Sequence, residues 1–432
     1  MVIQEGRKYP RFTVIIPQKD RAEYLEHTLR TCMLQDYPNF EVIVGDDCSD
    51  DNSVEMVREL QKKDPRIKLL AHDHHVGMRD NFELALDQVQ EGYVMALGGD
   101  DGLTPNGIWR MFEILKDTGA ELLTWSQARY KYPLFDGDCG MFSVPRQKFC
   151  GVKMVKSTDY LNKIADGLYY MTDDCPMFYV KGVVSTKLVE RVKKRTPDGR
   201  FYYCPTPDGY SGVVLAGEVE EYAYTKEPLS IAGDSPKSQG RNYTRTDEKS
   251  RKEAEQFFND SIRITMHKEL ASQPYSPLVP LMTADYLLTA RDLPGWPGKF
   301  NLFTWEHLIK KTFEYMATKP FEINVLQREI GILREIAIQH DLLPLFDSLL
   351  NSTIKKVYKK QSGHGFLVTP NIIEFNGNDM DIHNIYDAAL ATSFAYRSFN
   401  QFSMNFFTGW IKRTWKAYWS QYDYSKESLP KV

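Results

Sequence analysis

Between residues 12 and 125 the chain alternates short, mainly apolar runs with stretches whose apolar residues recur every three or four positions. The runs cover 12–17, 40–45, 67–71, 93–97 and 121–125. Between them lie the stripes Leu25, Leu29 and Cys32; Val54, Val57 and Leu60; Phe82, Ala85, Leu86 and Val89; and Ile108, Met111, Phe112 and Leu115. Runs this short suit strands buried on both faces, and the stripes suit helices with one apolar side. Repeated strand–helix–strand units at this spacing predict an α/β class with a mostly parallel sheet and right-handed crossovers.

A length of 432 residues exceeds one ordinary core, so two or three domains are expected. A formal net charge of -4 gives no global basic field and argues against nucleic acid as a partner. The six cysteines form no C-x-x-C pair, which suits free thiols in a reducing compartment better than a disulfide framework or zinc site. No apolar leader or membrane-length run is present, so a cytoplasmic protein, at most attached at the inner membrane face, is expected. The pattern loosens after Ser126 and tightens again into helical periodicity from about residue 253. The expected division is a catalytic domain over 1–240, a linker or mobile loop over 241–252, and a mainly helical region over 253–432. In the last region, 326–350 reads as a helix pair.

Each early run ends in polar residues that a parallel sheet would gather at one edge, where open α/β sheets bind ligands. The ends are Pro17-Gln-Lys-Asp-Arg21, Gly45 through Asp51, His72 through Arg79, and Gly98-Gly-Asp-Asp101. Adjacent carboxylates at Asp100 and Asp101 repel unless a cation separates them, and hard ions such as Mg²⁺ or Mn²⁺ prefer oxygen ligands. An Asp-rich turn capping the following helix is the plainer alternative. The loop histidines His72, His74 and His75 lack the partner spacing of a metal site.

Four blocks, in order and spacing over roughly residues 10 to 235, resemble the family 2 glycosyltransferases of the GT-A fold. They are Val14 through Arg21, Glu41 through Ser53, Gly77 through Asn81, and Leu97 through Leu103. The resemblance implies that Pro17, Lys19 and Asp47 hold the nucleoside of a sugar nucleotide, with Arg79 approaching the nucleotide or its phosphates. It further implies Asp101 as ligand of a divalent metal, Mn²⁺ or Mg²⁺, with Asp100 beside it toward the ribose or metal waters. Gly98 stands where the commoner form of this motif has a first acidic residue.

An inverting transfer also needs a carboxylate to take a proton from the acceptor hydroxyl. Asp208, in Cys204-Pro-Thr-Pro-Asp-Gly-Tyr-Ser-Gly212, lies where the family places its base. Pro-Asp-Gly is equally a common turn, and Asp can cap the helix behind it. Lys237 or Arg241 could touch phosphate from a segment over the donor. The tail over 394–424 sets Phe399, Phe402, Phe406 and Trp410 at helical steps beside basic residues, which suits either membrane-interface contact or packing on the catalytic half or a second subunit. The expected activity is metal-dependent, inverting transfer of a sugar, with UDP as the expected carrier, to a glycan or lipid-linked glycan in cell-surface polysaccharide synthesis. A catalytically weak nucleotide-sugar-binding scaffold is the alternative.

Overall fold

The computed structural model describes residues 9–133, 140–145, 151–204, 206–238, 265–318, 323–357, 372–376 and 382–399. The first four apolar runs become β1 (Phe12–Gln18), β2 (Phe40–Asp46), β3 (Ile67–Ala71) and β4 (Tyr93–Ala96), joined by α1 (Ala22–Met33), α2 (Ser53–Lys63) and α3 (Met78–Leu86). They lie parallel in the order β3-β2-β1-β4. Gln18 pairs with Asp46, and Asp46 with Ala71, so their carboxyl ends are level. Strand order reverses between β1 and β4, which opens a crevice there.

Alternation along these strands feeds two cores. Phe12, Val14 and Ile16 join Met95 and Leu97 on the side of α1 and α2, with Leu25, Leu29, Val57 and Leu60. Ile15, Val94 and Ala96 face the other way, toward Phe82 and Ala85 of α3. Because both sheet faces are covered, the strands can be apolar throughout.

After β4 come β5 (Gly102–Leu103), α4 (Gly107–Thr118), β6 (Leu122–Trp125), β7 (Ala128–Lys131), β8 (Met141–Pro145), β9 (Val152–Lys156), α5 (Ser157–Gly167), β10 (Gly182–Ser185), α6 (Thr186–Lys193), α7 (Pro207–Gly217), β11 (Glu221–Thr225) and β12 (Ser230–Asp234). The fifth apolar run, β6, does not extend the parallel series beside β4. Antiparallel β10 intervenes, and the eight-stranded sheet is mixed beyond β4, in the order β4-β10-β6-β11-β9. Four residues of β10 inside a Tyr- and Pro-rich stretch are too few to display a period.

The chain beyond residue 265 contributes α8 (Val279–Arg291), α9 (Trp305–Thr318), α10 (Ile323–Gln339), α11 (Leu343–Val357), β13 (Ile372–Asn376) and α12 (Ile385–Phe399). The expected helix pair is α10 and α11. Every residue of α8 from Val279 to Ala290 is buried. One face, with Tyr286 and Leu287, shares the core of α7; another, with Leu281 and Leu288, packs with Leu308, Phe313 and Leu333. β13 ends a five-stranded sheet, β13-β8-β7-β12-β5, and α12 covers it through Ile385, Ala388 and Ala389. The described part of 253–432 is thus knitted into the first half at both ends. No helix among the described residues is long and apolar enough to cross a membrane. Residues 241–252, Arg241 included, and the tail beyond 399 fall outside the described residues.

Candidate active site

Asp100 and Asp101 sit just past β4, and both are nearly inaccessible, 3% and 2% exposed. Asp101 is held by backbone: Gly98 donates its N–H to Oδ2 at 2.6 Å, and Gly233 donates to Oδ1 at 2.8 Å. Gly233 is the last residue but one of β12, and a Cβ there would lie 1.7 Å from the Asp100 carbonyl oxygen. Only glycine allows that approach. Burial, then the charge of Asp100, pushes the Asp101 carboxyl up to about 7 against the opposing N–H groups and Arg21.

Asp100 is engaged by side chains. Arg21 donates to Oδ1 at 3.1 Å, while Ser235 Oγ and Ser238 Oγ donate to Oδ2 at 2.6 and 2.7 Å. Arg21 also donates to the Lys237 carbonyl at 2.7 Å, and Lys237 Nζ donates to the Asp20 carbonyl. The segment after β12 is therefore strapped across the end of β1. Lys237, considered above for phosphate, is used here to hold that strap. Among the described residues, Arg21 is the one cation on two buried carboxylates. The remaining negative charge and the all-oxygen donor set fit a hard divalent ion.

Across the crevice, Pro17 pairs with Gly45 in the β1–β2 register. Asp47 accepts from the backbone N–H of Val76 at 2.6 Å and Gly77 at 3.1 Å, and His75 Nδ1 stands 2.8 Å from its Oδ2. Lys19 Nζ lies 3.3 Å from the same histidine nitrogen. Pro17, Lys19 and Asp47 are thus gathered at one rim, and Asp47 holds the β3–α3 loop against it. Neighbouring Asp46 closes the β2 end by accepting from Ser49 N–H at 2.9 Å and Ser49 Oγ at 2.8 Å. His72 faces Asn81 at 3.1 Å, while His74 pairs with exposed Asp73. Arg79 is 5% exposed, and its guanidinium pairs with Asp80, which also takes Arg200 at 2.7 Å. Its ion pair is with that carboxylate rather than with the acids of the rim.

Asp208 occupies the first turn of α7, directly after Pro207, where a proline suits the helix start and the helix dipole favours a negative charge. Tyr170 donates to Asp208 Oδ2 at 3.4 Å. Burial raises the Asp208 carboxyl above its ordinary range, with the Gly209 N–H and Tyr170 opposing. The segment leading to it is pinned by α3: Glu83 accepts from Phe201 N–H at 3.0 Å and Tyr202 N–H at 2.9 Å, and pairs with Lys193 at 3.1 Å.

The segment of Phe178 and Tyr179 touches both halves of the site: the Tyr179 hydroxyl stands at Gly98, and Phe178 donates its N–H to Ser211 Oγ, which donates to the Asp208 carbonyl. Burial first, then the charges of Asp101, Asp100 and Asp208, with Arg21 opposing, raise its hydroxyl well above the ordinary phenol value. One side chain therefore lies in the fields of both the acidic pair and Asp208. Arg21, Ser235, Ser238, Tyr170, Tyr179 and Glu83 were not singled out by sequence. Each acts across a long sequence separation; Arg21 closes the first block but was given no role there, and the others belong to no local pattern. A separate acidic group, His267, Glu269 and Asp292, is the one described cluster with metal-ligand spacing, but Arg291 and Lys268 pair with its carboxylates and make it an ion-pair network.

The sequence profile of Glycosyl transferase family 2 matches residues 13–142. Among curated proteins, the chain is 37% identical over 95 residues to the GalNAc(5)-diNAcBac-PP-undecaprenol beta-1,3-glucosyltransferase of Campylobacter jejuni, covering 22% of this chain and 31% of that one. It is 28% identical over 108 residues to the putative teichuronic acid biosynthesis glycosyltransferase TuaG of Bacillus subtilis, covering 25% and 43%. These matches span less than half the length of either relative. Among solved structures, S. aureus TarS 1-349 in complex with UDP aligns with a TM-score of 0.47 at 15% identity, over 85% of this chain and 97% of that one.

Proposed function

We propose that the chain, whose residues 13–142 match the profile of Glycosyl transferase family 2, is an inverting glycosyltransferase moving a sugar from a nucleotide donor to an acceptor hydroxyl. The observation that carries this reading is that the 178–179 segment touches both parts of the site: the Tyr179 hydroxyl stands at Gly98 beside the acidic pair, while Phe178 donates its N–H to Ser211 Oγ at 2.9 Å, and Ser211 Oγ donates to the Asp208 carbonyl at 2.6 Å. Pro17, Lys19 and Asp47 frame the nucleoside, and Asp100 faces the ribose. Arg79 reaches the nucleotide only if its pair with Asp80 opens. A divalent cation, Mn²⁺ or Mg²⁺, held by Asp101 and Asp100, would neutralise the departing diphosphate. Asp208 accepts the acceptor's hydroxyl proton as the new bond forms on the face opposite the leaving group, and its raised affinity for a proton makes it a stronger base than an exposed carboxylate.

The donor is read as a UDP-sugar and the acceptor as a glycan or lipid-linked glycan of a surface polysaccharide. The printed names of the two bacterial relatives, one acting on an undecaprenol-linked glycan and one assigned to teichuronic acid, support that acceptor class. A second reading, a nucleotide-sugar-binding scaffold, draws on the full set of protein donors around Asp100.

The test combines melting curves with UDP or GDP, with and without Mn²⁺, and donor turnover by wild type and Asp208→Ala. Metal-dependent stabilisation by UDP, with turnover confined to wild type, is expected. Binding with equal, negligible turnover in both proteins would favour the scaffold; no shift with any nucleotide would end the donor assignment.

A further inference from the structure

Tyr179 lies three residues before the chain enters β10, and the residue after it is strained. Val180 has φ of 58°, a left-handed conformation that a β-branched residue strongly disfavours. Strain of this kind persists only where the surroundings impose it. Here Val180 donates its N–H to the carbonyl of Ala96, the last residue of β4, at 2.7 Å. The Tyr179 ring meets Phe82 of α3 at 6.1 Å between centroids. Together these contacts set the phenol over Gly98.

Gly98 is where the chain departs from the commoner acidic motif, and the local geometry gives a physical reason. A Cβ on Gly98 would lie 2.6 Å from the Tyr179 hydroxyl, 2.8 Å from Asp101 Oδ2 and 3.2 Å from Asp100 Oδ1. Three oxygens from two distant segments ring a notch that any side chain would fill. Among the described residues, no hydrogen-bond partner meets the Tyr179 hydroxyl, although a phenol in such a place usually finds one.

We infer that the Tyr179 hydroxyl is a donor-binding group that hydrogen-bonds a hydroxyl of the transferred sugar, and that residue 98 is glycine to leave it room. The inference rests on the glycosyltransferase reading above. If the acidic pair meets the diphosphate and Asp208 meets the acceptor, the sugar lies between them; Tyr179 stands beside the pair at Gly98 and follows Phe178, whose N–H donates to Ser211 Oγ of α7 at 2.9 Å. A lone neutral hydrogen bond of this kind is worth about a three- to tenfold change in affinity. It would distinguish sugars by the hydroxyl they present at this point.

The experiment is titration calorimetry of wild type, Tyr179→Phe, Gly98→Ala and the double variant. The probes are UDP and the sugar nucleotides UDP-glucose, UDP-galactose and UDP-N-acetylglucosamine, with melting curves as a control for folding. Phenylalanine keeps the ring against Phe82, so melting should be unchanged. Tyr179→Phe should weaken at least one UDP-sugar about three- to tenfold while leaving UDP within about twofold. Gly98→Ala should cost more in the tyrosine background than in the phenylalanine background, because the colliding oxygen is then gone. Wild-type affinity for every ligand in Tyr179→Phe, or equal losses for UDP and the UDP-sugars, would overturn the inference and leave the enzyme reading standing. Wild type that binds none of the four would bring down both.

Discussion

Gly233 donates its backbone N–H to Asp101 Oδ1 at 2.8 Å, joining positions 132 residues apart. The contact makes the edge of the second sheet part of the acidic site, because the same strand leads directly into Ser235 and Ser238 on Asp100. A methyl group at 233 would overlap the Asp100 carbonyl. Gly233→Ala should therefore destabilise the protein by about 1–3 kcal/mol, as overpacking does. It should also abolish metal-dependent stabilisation by nucleotide. Urea unfolding and melting curves with UDP and Mn²⁺ read the two effects separately.

Glu83 is the brace for the other half of the site. It satisfies two consecutive backbone N–H groups six and seven residues before Asp208, and it pairs with Lys193 in a largely buried setting. Glu83→Ala strands those two donors, while Lys193 keeps its pair with Asp87 at 2.6 Å, at a cost of roughly 2–3 kcal/mol. Turnover should fall further than residual folding explains, because the chain leading to Asp208 is released. An unfolding midpoint within error of wild type would refute the brace.

The proposed base should leave its mark on the pH profile. Asp208 must be ionised to accept a proton, and its folded value lies above that of an ordinary carboxyl. Turnover should therefore fall on the acid side at a higher pH than for an exposed carboxylate. Tyr170 donates to the ionised form and so lowers that value. Tyr170→Phe should shift the acid limb to higher pH; a shift to lower pH would contradict the assignment.

A second pH effect lies away from the site and concerns stability alone. Burial raises the Asp292 carboxyl, but hydrogen bonds from Arg291, His267 and Lys268 outweigh it and bring it down to about 2. A folded value below the unfolded one, about 3.9, stabilises the protein above that pH and is lost as pH falls through about 2. Asp292→Asn should flatten the acid limb of the stability curve in that window while leaving the metal response of the Asp101 site unchanged. A steep limb retained in the variant would exclude this group.

Much of the first half was legible because its signals are local. The run at residues 40–45 and the stripe Val54, Val57, Leu60 each announce an element without reference to the rest of the chain, and they became β2 and α2. Aspartates at the ends of buried strands could be gathered at one edge by topology alone. Antiparallel β10 was not legible, because its four residues are placed by partners on β4 and β6. The return of α12 over the second sheet was equally hidden: Ile385 and Ala388 bury against Ala128 and Phe142, far earlier in the chain.

The strand–helix succession from β1 to β4, the acidic turn after β4 and the carboxylate that begins α7 were determined by sequence alone, since hydrophobic period, glycine and proline act over a few residues. Tertiary structure alone decided which groups hold those carboxylates. Arg21, Ser235 and Ser238 on Asp100, Gly233 on Asp101, and Tyr170 on Asp208 are contacts between segments that only packing brings together. Burial and long-range hydrogen bonds set the charge state and direction of such groups, and both properties belong to the assembled fold.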